Sequence, residues 1–215
     1  MVQGFTDRVY QAFGLQLTGD QMALMSKYVE NLRAWSDRVR LISRGDQQHI
    51  WDRHILDCLS VISLLPNTGP VLDFGSGAGL PGIPIAIVEP TLSVHLLESA
   101  RMKTLFLAHT VTQLQVENVT VHHARSETLT QDTENLGIYE CITARAVASL
   151  PVLWESAKRL LSPTGKLIVF KGANPLDEFG SRLPVDVEFS VTDMDPSLAK
   201  RERSFVMLSH VSRET

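Results

Sequence analysis

Cysteine is scarce in this 215-residue chain: Cys58 and Cys141 stand far apart and form no Cys-x-x-Cys pair. That argues against a disulfide framework and a structural zinc site, so no metal is expected. Long apolar runs are missing too. The longest, about residues 80–88, is broken by Pro81, Gly82 and Pro84 and is too short to cross a bilayer. The first eight residues carry neither the basic start nor the apolar stretch of a secretory signal. The expectation is a cytoplasmic protein without membrane contact. Positive charge is not in excess either. Lys and Arg number 20 against 24 Asp and Glu, a net charge of −4. Bulk charge therefore does not point to nucleic acid, although a local basic face is what decides that question. No internal repeat and no low-complexity tract is visible.

What is present suits a folded protein: 44% of the residues are hydrophobic and 20% charged. The length fits one domain, or one domain with a small helical attachment. Residues 1–66 read as a helical cap. Met25, Tyr28, Val29, Leu32, Trp35 and Val39 repeat at the spacing of one helix face, with Asp20 as a candidate cap. A second helix is expected over residues 47–65. The breaker Pro66-Asn67-Thr68-Gly69-Pro70 marks the boundary to a core at 67–215 that forms one compact unit. There, strands expected at 71–74, 93–97, 119–122, 138–143 and 167–170 alternate with helices near 83–88, 100–114 and 150–161. That alternation means an α/β fold with a parallel, Rossmann-like sheet. Residues 186–192 and 204–211 read as two more strands, arranged as a hairpin.

The strongest motif is Asp73-Phe74-Gly75-Ser76-Gly77-Ala78-Gly79-Leu80-Pro81-Gly82, at the end of the first strand. Glycines let a ligand lie against bare backbone, and a helix start offers free N–H groups. A dinucleotide fingerprint fits poorly. From Gly75 its third glycine falls on Leu80, and from Gly77 its turn would contain Pro81. Asp73 can orient the loop and attract the ammonium of a methionine moiety, so Asp73, Gly75 and Gly77 are assigned to S-adenosylmethionine. Glu98, closing the second strand, can accept both ribose hydroxyls. Ser126 and Glu127, after the third strand, are candidates to frame the adenine.

The loop after the fourth strand, where a methyl acceptor is expected, reads Arg145-Ala146-Val147-Ala148-Ser149. It has no Asn/Asp-Pro-Pro-aromatic element to cradle an exocyclic amine, and neither cysteine has the surroundings of a covalent nucleophile. Guanine N7 suits such a site, because its lone pair carries no proton and transfer to it needs alignment and dryness rather than a base. Arg145 is the candidate catalytic residue, able to contact the cofactor or guanine O6 and N7.

Four segments in order, Arg53-His54-Ile55-Leu56-Asp57, Gly79-Leu80-Pro81-Gly82-Ile83-Pro84, Arg145-Ala146-Val147-Ala148-Ser149-Leu150 and Phe170-Lys171-Gly172, resemble the bacterial RsmG family, also called GidB. The resemblance spans about residues 17–208. It implies a class I S-adenosylmethionine methyltransferase acting on guanine N7 of 16S ribosomal RNA, in the helix 18 loop near the decoding centre. The family's cofactor contacts fall on Gly75, Leu80, Ser126, Glu127 and Arg145. By resemblance Arg53, His54 and Asp57 border the RNA side of the site, and α-helical spacing would bring the three to one side. Lys171 is expected to meet phosphate or the target base. The chain departs from the family at Met102-Lys103, where two basic residues are usual, and at Ser126, commonly Ala or Val.

Between residues 31 and 54, Arg33, Arg38, Arg40, Arg44 and Arg53 outnumber Asp37, Asp46 and Asp52, with Trp35 and Trp51 interleaved. This mild basic face suits RNA presented within a small ribosomal subunit or its precursor better than tight binding to bare RNA. Nothing implies an oligomer, so a monomer is expected. Methylation of a small molecule or protein is the alternative; an NAD-dependent oxidoreductase and a non-catalytic sensor or assembly factor stand further back.

Overall fold

The computed structural model describes residues 2–129, 137–172, 175–179, 187–194 and 204–211. Strands β1 (Pro70–Phe74), β2 (Ser93–Glu98), β3 (Val119–His123), β4 (Tyr139–Arg145), β5 (Leu161–Lys171), β6 (Val187–Asp193) and β7 (Ser204–His210) form one sheet. Its order is β3-β2-β1-β4-β5-β7-β6. The first five strands are mutually parallel, and β7 runs antiparallel to both β5 and β6. This is the expected Rossmann-like sheet, and the strand order reverses between β1 and β4. Ligand sites in such sheets open at the carboxyl ends of the strands at that point.

Alternate residues of each strand face opposite ways, so two hydrophobic layers form. Leu72, Ile142, Leu167 and Val169 pack with α7 (Leu150–Ala157) and its buried Trp154. Val71, Val94, Leu96 and Ile168 pack with α4 (Gly82–Val88) and α5 (Arg101–Leu114). The same layer continues into the cap through Val9 of α1 (Val2–Phe13), Met25, Tyr28 and Leu32 of α2 (Gly19–Ser36), and Leu59 of α3 (Leu56–Leu59). One short helix, α6 (Ser126–Leu129), follows β3.

Helix α2 is held along its length. Gln21 donates to the Val88 carbonyl at the end of α4 and Lys27 to the Gln113 carbonyl near the end of α5, while Trp35 meets Phe106 edge to face. Helix α2 thus lies across both α4 and α5.

Several expectations change in detail. The cap of α2 is Thr18, not Asp20: Thr18 Oγ1 accepts the Gln21 N–H and the Gln21 side chain accepts the Thr18 N–H. This reciprocal pair starts the helix at Gly19, leaving Asp20 in its first turn. The expected helix over 47–65 is broken into 3-10 turns at Gln47–His49 and Ile62–Leu64, a π-helical turn at Trp51–Ile55, and α3. Strand β5 starts at Leu161 rather than at the expected 167, because the chain bulges between its pairings with Tyr139 and Cys141 and takes in Pro163 and Gly165. Helix α7 consequently stops at Ala157. The hairpin is present; Asp186, its expected first residue, lies outside the described residues.

Removing the Thr18 hydroxyl should cost about 1 kcal/mol. Thr18→Ala is expected to lower the thermal midpoint by a few degrees in calorimetry, with the far-ultraviolet dichroism unchanged below the transition.

Candidate active site

The chain leaves β1 through a loop whose backbone only glycine adopts comfortably. Gly75 has φ +72°, and a Cβ there would lie 2.9 Å from a methyl of Val147 on the loop after β4. Gly82 has no room either: a Cβ would meet Leu96 of β2 at 2.3 Å and the Asp73 carboxylate at 2.7 Å. Helix α4 is thereby drawn tightly onto the sheet.

Asp73 holds this arrangement from inside. It is 1% exposed; Oδ2 accepts the Gly82 N–H at 3.0 Å, and Oδ1 faces the Thr143 hydroxyl of β4 at 3.4 Å. Its carbonyl accepts the Ser76 hydroxyl at 2.8 Å. Burial pushes its pKa up to about 6, against the opposing effect of the Gly82 N–H. Its visible work is therefore to orient the loop; the carboxylate faces protein donors.

Glu98, 7% exposed, ends β2 beside the loop. Its two oxygens accept the N–H groups of Gly77 at 2.9 Å and Ala100 at 2.7 Å. Each oxygen keeps acceptor capacity, so a carboxylate fixed at this strand end fits a vicinal diol such as a ribose. The Ala124 N–H donates to the Glu98 carbonyl at 3.2 Å and brings the turn after β3 alongside. Ser126 and Glu127 follow on that turn, Ser126 donating to Glu127 at 3.2 Å. Leu80, 8% exposed, packs in the layer beneath.

A residue read only as core completes the loop. Tyr28 of α2 is fully buried, and its hydroxyl donates to the Ala78 carbonyl at 2.7 Å. The next N–H, that of Gly79, donates to the Ser76 carbonyl at 2.6 Å. The peptide joining residues 78 and 79 is thus gripped at both ends, one of them from the cap. Periodicity places Tyr28 on a helix face and gives no sign of where its hydroxyl goes.

Arg145 ends β4 with its guanidinium turned to the cap rather than to Glu98 or Glu127. It contacts His54 Nδ1 at 2.7 Å, Asp57 Oδ2 at 3.2 Å and Cys58 Sγ at 3.6 Å. Two of the three polar residues of the Arg53–Asp57 segment therefore converge. Arg53 does not join them: it pairs with Asp46 at 2.7 Å. The π-helical turn explains this, since the Leu56 N–H reaches back to the Trp51 carbonyl and the wider turn shifts the α-helical phase. Ala146, next to Arg145, sits at φ +55°, a left-handed conformation costly for a residue with a Cβ. Burial pushes the Cys58 and Cys141 thiols up to about 12, far from thiolate chemistry.

Lys171, at the end of β5, is held by the segment that follows it. Its ammonium pairs with both oxygens of Glu178, at 2.7 and 2.8 Å, and donates to the Ala148 carbonyl at 3.1 Å. Glu178, on the 3-10 turn Pro175–Phe179, also accepts the Leu150 N–H at 2.8 Å. Lys171 thereby braces the loop after β4. Among the described residues, no cluster of three or more His, Cys, Asp or Glu could hold a metal.

A family model described as rRNA small subunit methyltransferase G (GidB) matches residues 21–193. A protein of Roseiflexus sp. (strain RS-1) called ribosomal RNA small subunit methyltransferase G is 40% identical over 169 residues, 78% of this chain and 72% of its own. One of the same name from Granulibacter bethesdensis is 38% identical over 200 residues, 91% and 87% of the two chains. Among solved structures, a mutant of MtNAS in complex with S-adenosylmethionine superposes with a TM-score of 0.59 at 14% identity, covering 89% of this chain and 79% of its own. TYW2 of M. jannaschii in complex with AdoMet gives 0.54 at 12% identity, with 79% and 78% covered.

The Tyr28 bond carries its own test. Tyr28→Phe keeps the ring and removes about 1 kcal/mol of hydrogen bonding, so amide exchange at Gly79 should quicken roughly fivefold while distant core amides stay unchanged. Asp73 gives a pH signature. Its folded pKa is raised, so its contribution to stability is complete below about pH 4 and is lost as the pH climbs through about 6. Asp73→Asn cannot ionise. In denaturant titrations between pH 4 and 7 the variant should gain on the wild type as pH rises.

Proposed function

The chain belongs to the rRNA small subunit methyltransferase G family and is an S-adenosylmethionine-dependent methyltransferase of small-subunit ribosomal RNA; from that premise we propose that it methylates guanine N7 in the helix 18 loop of 16S ribosomal RNA. The transfer is direct and in line, with no covalent intermediate and no obligatory general base. The observation that carries this is the state of the polar groups around the glycine loop. Asp73 is taken by Gly82 and Thr143 and Asp57 by Arg145, while Glu98, fixed by Gly77 and Ala100, is committed to the cofactor. Both cysteines are buried thiols. Guanine N7 has no proton to lose, so such a site can serve it by alignment and exclusion of water.

S-adenosylmethionine supplies a methyl group already activated on a sulfonium. The chain's own residues bind and orient it. Gly75 and Gly77 keep side chains out of the loop, Leu80 supplies apolar contact beneath it, and Asp73 fixes the loop's shape. Glu98 accepts the ribose hydroxyls, with Ser126 and Glu127 bordering the adenine. Arg145, bound to His54 and Asp57, fixes the cap against the end of β4 and so positions the wall that the target base meets. Arg53 stands at the rim of that wall, and Lys171 keeps the loop after β4 in shape. The enzyme acts in the cytoplasm as a monomer on the small subunit or its precursor. No helix among the described residues is long and apolar enough to cross a membrane.

Labelled S-adenosylmethionine, small-subunit particles from cells lacking the endogenous enzyme, and protein-free RNA in parallel make the test, with nucleosides identified by mass spectrometry. New N7-methylguanosine is expected. Labelled cofactor that binds without any methylated nucleoside in either RNA would move the reading to a small-molecule or protein acceptor. Gly75→Asp combines a strained backbone with a clash and should weaken cofactor binding by about a hundredfold or more. Glu98→Gln, keeping the shape but losing the charge, should weaken it by roughly tenfold.

A further inference from the structure

The stretch between Ser36 and the 3-10 turn at Gln47–His49 presents charge in an ordered way. Val39 is buried at 9% exposure between the exposed Arg38 and Arg40, and Arg44 is exposed a few residues on. Leu41 and Ile42 pack against the core, so the backbone is pinned from below. Its far end is closed by Asp46, which accepts the Ser43 hydroxyl at 2.7 Å and the Arg53 guanidinium at 2.7 Å. The Asp46 N–H donates to the Ser43 carbonyl at 3.0 Å, and the Leu41 N–H to the Val39 carbonyl at 2.7 Å. Those two partners, Ser43 before Arg53, hold the Asp46 carboxyl below its ordinary pKa.

The consequence is a local imbalance of charge. Asp46 is spent inside the loop, so Asp37 is the one exposed acid facing three exposed arginines in this stretch. Among the described residues none of the three arginines forms an ion pair. Their position is fixed relative to the site. Asp46 holds Arg53, and the adjacent His54 holds Arg145 at the carboxyl end of β4. On a chain of net charge −4, three outward guanidiniums on a braced backbone beside the site are built for an anionic partner. Guanidinium forks match phosphate oxygens in pairs.

We propose that residues 37–46 form a rigid hook in which Arg38, Arg40 and Arg44 grip phosphates of the RNA strand entering the site. This rests on the reading that RNA is the acceptor, and it names the surface that holds it. The hook works by charge and reads no base, so it sets affinity and approach.

The test is RNA binding measured separately from methylation. The full chain, saturated with S-adenosylhomocysteine, is titrated against a labelled small-subunit RNA fragment containing the target loop, at several salt concentrations. The variant is Arg38→Ala, Arg40→Ala and Arg44→Ala combined. Its affinity at low salt should fall roughly ten- to a hundredfold, and the slope of log affinity against log salt should flatten by about two, for three contacts at about 0.7 each. Cofactor affinity and thermal midpoint should be unchanged, since the three side chains are exposed. Restoring the charges as lysine should restore most of the slope. Wild-type affinity and slope in the triple variant would overturn the proposal, even if its activity on whole particles fell, because the arginines would then face a protein. A wild type that binds RNA through the hook but methylates neither substrate would refute the acceptor reading and leave the hook standing.

Discussion

The Asp73 carboxylate, buried and accepting the first N–H of α4, is the constraint on which the site depends. It ties the end of β1 to the start of the next helix, across a loop otherwise free to take many shapes. A carboxylate in that position is expensive, and burial raises its pKa to about 6. Gly82 and Thr143 offset the cost at its two oxygens, while Ser76 holds the carbonyl of the same residue. The loop is consequently shaped before any ligand arrives, and cofactor binding does not have to order it.

The cap is part of the same construction. It shares a hydrophobic layer with α4 and α5, its α2 is pinned to their far ends by Gln21 and Lys27, and further polar contacts fall at the site itself. Tyr28 reaches the glycine loop while His54 and Asp57 reach Arg145. A buried ion pair such as Asp57 with Arg145 adds little net stability over an apolar pair, but removing one partner strands the other. Its value lies in fixing one docking geometry between the cap and the end of β4.

The sheet, its order of strands and helices, and the glycine loop were legible because they rest on local signals: alternation, spacing and the need for glycine. Glu98 stands where its place at the end of β2 implied. Other features depend on contacts that no local pattern records. Tyr28 reads as one apolar position among six, and only packing against the loop gives its hydroxyl a partner. The Trp51–Ile55 turn has an ordinary helical pattern, yet its wider winding separates Arg53 from His54 and Asp57. Lys171 sits in a family motif, but its charge is claimed by Glu178, and nothing in either segment announces the pair. The expected strand at 167–170 begins earlier, at Leu161, because a bulge carries the chain through Pro163 and Gly165.

Tyr28 grips a carbonyl of the main chain, not a side chain, and this makes the demand on sequence one-sided. Every amino acid offers that carbonyl, so the identity of residue 78 is free to drift within the limits of space. Position 28 has no such freedom, because only a phenol of that length can deliver the proton from the helix. Substitution libraries covering both positions would therefore tolerate many residues at one and few at the other, although the two are joined by a single bond.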